Sequence, residues 1–412
     1  MSDGRLPLTA DTTTDEAVAV VRAWVEEAVP GAWREAADAG RPVRDVRTFA
    51  DYEGWYPAFA ASGLVVPTWP VAYGGLDLPA ALARTLEAEL APYRLGRLNP
   101  LGLNLCAPAL FAHGSEEQRL RFLPRIVDNS ERWCQLFSEP GAGSDLASLA
   151  CRAERDGDDW VLTGQKVWTT WAHRSDWGVC LARTDLDVPK RQGITYFLVD
   201  LRAPGIEVRP LRDMTGNVDF NEVYLDAMQV PDSQRVGAEG EGWKVAGATL
   251  SGERQMVSGS GSGGVDRIGG SGAESLVSLA RRTGCVADPV VRQQVVRLWS
   301  EERIRGWTNA RVRAELKAGR TPGPQSSIGK VHQGDLNQRL QLAAVRLLGA
   351  DALAWEGDRP PPEVKGMLRS RGNTIEGGTT EVNKNVVGER VLGLPREPDP
   401  FRSTPWKEVP RS

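Results

Sequence analysis

Hydrophobic residues along the 412-residue chain change period twice, dividing it into a helical, a β and a second helical block. From Asp15 to about Arg132 the pattern is helical. Val18, Val21, Trp24, Val25 and Ala28 recur at the i, i+3, i+4 spacing of an amphipathic helix, which Pro30-Gly31 ends. Ser115-Glu116-Glu117-Gln118 reads as a capping box ahead of a helix through Leu120 and Phe122. Past Arg132 come short β-branched or aromatic runs: Trp160–Trp168, Trp177–Arg183, Ile194–Leu201, Ile206–Arg212 and Glu222–Leu225. Turn residues divide them, which predicts a compact antiparallel β-domain closed by Pro231. After Gly242 helices return, over Val290–Arg313, Ile328–Leu348 and beyond Thr379. The class is α+β.

Composition narrows the chemistry. Lys and Arg number 50 against 54 Asp and Glu, a net charge of -4 spread along the chain, which argues against a nucleic-acid or anionic-membrane binder. The three histidines (His113, His173, His332) and five cysteines fall in no CxxC or HExxH spacing, so no metal site is expected. The scattered cysteines fit a reducing cytoplasm, and Met1–Glu16 has no basic-then-apolar signal pattern. The apolar stretch Leu98–Ala112 is interrupted by Pro100 and Pro108, which excludes a membrane span there. Catalysis is left to carboxylates, hydroxyls or an organic cofactor.

Ser258–Gly272 contains Gly259-x-Gly261-x-x-Gly264, formally a dinucleotide fingerprint, but Trp243–Val257 before it reads as a helix rather than a strand. A loop between helices is the better reading. More informative are Phe137-Ser138-Glu139-Pro140-Gly141-Ala142-Gly143-Ser144-Asp145 and Gly164-Gln165-Lys166-Val167-Trp168-Thr169-Thr170. Small residues let backbone amides approach a ligand, Ser and Thr supply hydroxyls, and Trp offers a flat face, as a planar cofactor needs. The alternative for the first stretch is a tight turn with Asp145 as helix N-cap.

These two stretches resemble the acyl-CoA dehydrogenase family of flavoproteins, over nearly the whole chain. Collinear with them are Gly114–Gln118, Met214-Thr215-Gly216, Val230-Pro231-Asp232, Gly240-x-Gly242-Trp243 and Gly377-Gly378-Thr379-Thr380-Glu381-Val382. The resemblance implies an N-terminal all-α domain (1–131), a central antiparallel β-barrel-like domain (132–236) and a C-terminal four-helix-bundle domain (237–412). It implies FAD as cofactor, with Phe137 and Ser138 at the flavin pyrimidine edge, Gly143 in the cofactor loop, Trp168 and Thr170 beside N5, and Thr379 on the phosphate and ribityl side. Ser144 would meet the pantetheine arm of an acyl-CoA substrate.

Removal of the substrate α-proton needs a base. The best-known members carry a Glu immediately before the Gly-Thr of the C-terminal motif, where this chain has Gly377, preceded by Glu376. A second group places the Glu on a helix after the β-domain, directly before an Arg, and Leu250-Ser251-Gly252-Glu253-Arg254 fits that arrangement. Glu253 is therefore the expected base and Arg254 a substrate or helix-positioning residue. Glu376 stands in reserve, and the Gly377 amide is the donor expected at the thioester carbonyl. The alternative for Glu253 is a solvated helix Glu paired with a neighbouring Arg.

Leu342–Trp355 lacks the Gln and Gly-Gly-x-Gly that homotetrameric relatives present to a neighbouring cofactor. Besides a homo-oligomer (dimer or tetramer), a hetero-oligomer with a related subunit is thus expected, with an electron-transfer flavoprotein as electron acceptor. A non-catalytic structural subunit and a flavin oxidase or monooxygenase are the other readings.

Overall fold

The computed structural model describes residues 4–258, 272–317, 324–355, 357 and 360–410, with the backbone alone at 253–258, 313, 316 and 317. The first block is helical: α1 (Thr14–Ala28), α2 (Gly31–Asp38), α3 (Phe49–Ala61), α4 (Ala80–Leu90), α5 (Ala107–His113) and α6 (Glu116–Val127). Capping boxes open α1 at Thr13/Glu16, α3 at Thr48/Asp51 and α6 at Ser115/Gln118, each satisfying amides that a helix start leaves unpaired. Gln118 also donates from Nε2 to the carbonyls of Ser233 and Arg235 (2.8 and 2.9 Å), so the α6 cap joins this block to the end of the sheet. Gly102–Cys106 forms a wide turn with i→i+5 bonding that runs into α5.

The middle block is one sheet of β1 (Trp133–Leu136), β2 (Arg152–Asp156), β3 (Asp159–Lys166), β4 (Trp177–Arg183), β5 (Ile194–Asp200), β6 (Ile206–Leu211), β7 (Phe220–Pro231) and β8 (Arg235–Val236). Its order is β6-β7-β3-β2-β4-β5-β8, with β1 on β4. The antiparallel expectation holds for most pairings, but β1 and β2 both run parallel to β4, which makes the sheet mixed. Parallel neighbours need long connections. One of these carries the Ser138–Asp145 segment, between β1 and β2.

Side-chain alternation splits the sheet between two cores. Val179, Leu181, Tyr196 and Leu198 point to a core shared with α1, α3, α5 and α6; Cys180, Ala182, Phe197 and Val199 point to the other, within the sheet. There Trp160 of β3 meets Phe197 of β5 at 5.4 Å although two strands separate them, so the sheet curls around its own core.

The last block contains α7 (Gly242–Ser258), α8 (Ala273–Arg282), α9 (Pro289–Lys317) and α10 (Ser326–Leu348), then the short α11 (Pro362–Ser370) and α12 (Thr380–Val386). Helices α8, α9 and α10 share a core of Leu276, Leu279, Val295, Leu298, Leu336 and Leu340. Most of the glycine-rich Ser258–Gly272 stretch, residues 259–271, lies outside the described residues.

Candidate active site

The sheet brings the two cofactor-like stretches together. The Val167 amide donates to the Ser138 carbonyl (2.9 Å), which joins the segment after β1 to the end of β3. Beneath that contact lies a buried ion pair: Lys166 Nζ, with no exposed surface, is 2.7 Å from Glu139 Oε1. Lys166 also donates to the carbonyls of Leu181 (2.7 Å) and Phe137 (3.3 Å), while Glu139 accepts from the amides of Ala150 (2.6 Å) and Cys151 (3.0 Å). Both charges are therefore satisfied by fixed partners, as burial demands. Burial works against the Lys166 charge, yet the Cys151 and Cys180 sulfurs and the Glu139 carboxylate hold its pKa above the usual lysine value.

Beyond Lys166 the backbone kinks. Trp168 has φ +61°, a left-handed conformation that is strained for a bulky residue and occurs mostly where function requires it. Its ring is 57 % exposed, edge-on to Phe220. Thr170 is half-buried, and between them Thr169 is buried with a hydroxyl that has no hydrogen-bond partner. Thr169 is held by its main chain, donating to and accepting from Asn221 (3.1 and 2.9 Å).

On the facing segment Phe137 is buried, Ser138 half-buried, and Gly143 and Ser144 exposed. A Cβ at Gly141 or Gly143 would meet nothing within 4 Å, so the fold itself does not require glycine there. Asp145 is not an N-cap in the sense expected: its carboxylate binds Lys190 (2.6 Å) and the Ser148 hydroxyl (2.5 Å), and no side-chain bond caps the following turn.

The floor of this region leads to α7. The Phe137 ring stands edge-on to Tyr196 (6.0 Å), whose hydroxyl is 3.0 Å from that of Thr249, buried on α7. The backbone of Glu253 follows one turn later. A Cβ at Gly252 would come within 1.9 Å of the Asn104 carbonyl oxygen, in the wide turn before α5, so α7 presses backbone to backbone there. The side chains of Glu253 and Arg254 lie outside the described residues.

Glu376 is already engaged. Its carboxylate accepts from Arg369 and from Asn373 Nδ2, both at 2.7 Å. Gly377 and Gly378 follow with φ +64° and +87°, and Thr379 caps α12 by accepting from the Val382 amide (3.2 Å). Among the described residues no hydrogen bond joins Glu376–Thr379 to Phe137–Asp145 or Trp168–Thr170.

Glu139 and Lys166 lie within the two motifs, where the sequence alone points to no role for either. The missed signal was an ionisable pair amid residues that otherwise read as buried. His173 is exposed, with Nδ1 2.9 Å from Asn221 Oδ1, and borders an open cleft of ≈ 440 Å³ with Asn129, Arg132 and Arg174. His113 is the last residue of α5.

Sequence models of the acyl-CoA dehydrogenase N-terminal, middle and C-terminal domains match residues 11–130, 134–228 and 240–392. The chain belongs to the acyl-CoA dehydrogenase family. A protein named acyl-CoA dehydrogenase IpdE1 from Mycobacterium tuberculosis is 38 % identical over 390 residues, covering 93 % of this chain and 98 % of its own. Acyl-CoA dehydrogenase FadE34 of the same organism is 41 % identical over 341 residues, covering 82 % of this chain and 46 % of its own. Among solved structures, the Tcur3481-Tcur3483 steroid ACAD aligns with TM-score 0.71 at 26 % identity, covering 95 % of this chain and all of that one. The ChsE4-ChsE5 complex from Mycobacterium tuberculosis aligns with TM-score 0.64 at 26 % identity, covering 95 % and 100 %. As a member of this family the chain is an oxidoreductase acting on acyl-CoA. Among the described residues no helix is long and apolar enough to cross a membrane, and no group of His, Cys, Asp and Glu could hold a metal ion.

The residues present fit the flavin that the family implies. An exposed Trp face on a left-handed kink, an orphaned Thr169 hydroxyl and open space beside Gly141 and Gly143 are what a flat ring with polar edges and an extended tail would complete.

Proposed function

We propose that the chain catalyses FAD-dependent α,β-dehydrogenation of an acyl-CoA thioester to the trans-2-enoyl-CoA, with Glu253 as base. One observation carries the reading: Lys166 and Val167 tie the Phe137–Ser138 segment to the Trp168 kink, and Phe137 leads through Tyr196 to the helix of Glu253. FAD, when bound, supplies the hydride acceptor for the substrate β-carbon. Phe137, Ser138, Gly143, Trp168, Thr170 and Thr379 hold and orient it. Ser144 and Arg254 position the thioester, and the Gly377 amide polarises its carbonyl, which makes the α-proton easier to remove. Glu253 takes that proton. Glu376 is the less suited base because Arg369 and Asn373 occupy both its oxygens.

Electrons then pass to an electron-transfer flavoprotein, and the protein works in the cytoplasm. The neighbours that are complexes of two named chains, one of them called a steroid ACAD, favour assembly with a related subunit and make steroid-derived thioesters the first to try. Because the partner of such a pair can hold the catalytic groups, a structural subunit is the second reading.

The test is Glu253→Gln, assayed with an artificial electron acceptor across straight-chain, branched and steroid-derived acyl-CoAs. Turnover should fall about 10²–10⁴-fold with flavin still bound, the span expected when a general base is lost. Undiminished turnover removes Glu253 from the site, and a wild-type chain that holds no flavin until co-expressed with a related subunit favours the second reading.

A further inference from the structure

Residues 393–410 lie beyond the matched C-terminal domain, yet part of this segment returns to the β-domain. The Trp406 amide donates to the Val188 carbonyl (2.9 Å) and the Lys407 amide to that of Leu186 (3.1 Å); Pro405 bridges Pro189, and Lys407 pairs with Asp187. Trp406 is buried, and its ring lies 4.4 Å from the Arg183 guanidinium carbon. Arg183, 1 % exposed, donates to three carbonyls: Leu149 (3.0 Å), Ala147 (2.7 Å) and Lys190 (3.0 Å). Lys190 in turn holds Asp145, the neighbour of Ser144. A buried guanidinium needs every donor placed and its face covered, and the Trp406 ring supplies the cover.

We propose that the segment Pro405–Val409 is a clamp on the thioester site: Trp406, through Arg183 and Lys190, fixes the Gly143–Leu149 segment so that Ser144 is preset for the pantetheine arm. The clamp is a positioning device, since neither Trp406 nor Arg183 reaches the reacting atoms. Two further features make the connection stiff. Gly193, at the far end of the clamped loop, would place a Cβ 2.0 Å from the Asp185 carbonyl oxygen and 3.2 Å from Arg183 Nη1, and the Thr184 amide donates to the Gly193 carbonyl (2.9 Å). A pull on Pro405–Lys407 is thus passed to Lys190 rather than absorbed within the loop.

The link to the thioester rests on the acyl-CoA reading above; the clamp itself does not, and two readouts separate them. Trp406→Ala and Lys190→Met are each compared with wild-type protein. Amide hydrogen exchange over Ala142–Leu149 should accelerate in both variants, with exchange in the distant α1 and α3 unchanged. KM for an acyl-CoA that the wild type turns over should rise about tenfold while kcat and flavin content hold, the mark of lost substrate positioning rather than lost chemistry. Trp406→Phe, which keeps a ring over Arg183, should restore both. Exchange over Ala142–Leu149 that is unmoved in Lys190→Met overturns the clamp. Accelerated exchange with KM unchanged overturns its role at the thioester, and loss of flavin and kcat along with KM reduces it to general stability. If the wild type turns over no thioester, the acyl-CoA reading fails while the exchange result still decides the clamp.

Discussion

The two segments that offer a base are held in different ways. Helix α7 is fixed by shape: Gly242 leaves no room for a Cβ against Thr195 of β5, Gly252 leaves none against the Asn104 carbonyl, and Val245, Ala246 and Thr249 are fully buried between. The Arg371–Thr379 segment is held at its start by buried Asn373, which accepts from Lys330 and Asn337, but Glu376 is fixed only by polar partners, in a pair with Arg369 that is 33 % exposed on each side, and the chain then turns through two left-handed glycines. A helix pressed backbone to backbone cannot shift without repacking its neighbours. An ion pair a third exposed exchanges with water at little cost. The first arrangement suits a group whose distance to a substrate must not vary; the second suits a loop that adjusts, with its carboxylate already engaged.

The largest effect is expected at the floor that α7 faces. Lys166→Met leaves the Glu139 carboxylate buried without its cation, and breaking a buried pair from one side costs about 3–5 kcal/mol. Denaturant unfolding should show that loss. Adding Glu139→Gln removes the stranded charge and should recover much of it, whereas a single variant as stable as wild type would mean the pair is not what joins the two cofactor segments.

Next is the contact that seats α7. Gly252→Ala drives a methyl into a backbone carbonyl that cannot swing aside, so overpacking of about 1–3 kcal/mol is expected. The displaced helix should also lower kcat while flavin content holds. Retained stability and kcat would show that α7 has slack, and the contrast between the two segments would vanish.

The three-block plan was legible because helical residues recur at fixed local spacing, the strands Trp177–Arg183 and Ile194–Asp200 because they are short β-branched or aromatic runs divided by turn residues, and the Ser115/Gln118 box because it is local. Strand β1 was not, since four residues carry too short a pattern and its partner Trp177 lies 44 positions on, in a parallel register that no turn announces. The same holds for Gln118, whose capping role is local while its bonds to Ser233 and Arg235 are not. At the candidate site the motifs gave position but not division of labour. Gly141 and Gly143 look like turn glycines, yet they meet no steric limit; Gly164, beside them in the motif pair, is the one a Cβ would force against Cys151 at 2.8 Å. Glu139 and Lys166 read as polar punctuation because pairing across the sheet is what makes their burial tolerable, and pairing is invisible until the strands are placed.

The smallest effect is expected at Glu376, and it decides between the segments most directly. Glu376→Gln keeps the size and one acceptor of the side chain, so Asn373 Nδ2 retains a partner, while the Arg369 contact becomes an ordinary hydrogen bond. For an ion pair a third exposed the loss should be about 0–1 kcal/mol, with the unfolding midpoint barely moved. Turnover should stay within a few-fold of wild type, because the change leaves the Gly377 and Gly378 backbone free to keep its left-handed turn and the Gly377 amide in place. A drop in kcat as deep as that of Glu253→Gln, at unchanged stability and flavin content, would reverse the assignment. It would mean that Arg369 surrenders the carboxylate when substrate arrives, and that the adjustable segment, not the rigid one, carries the base.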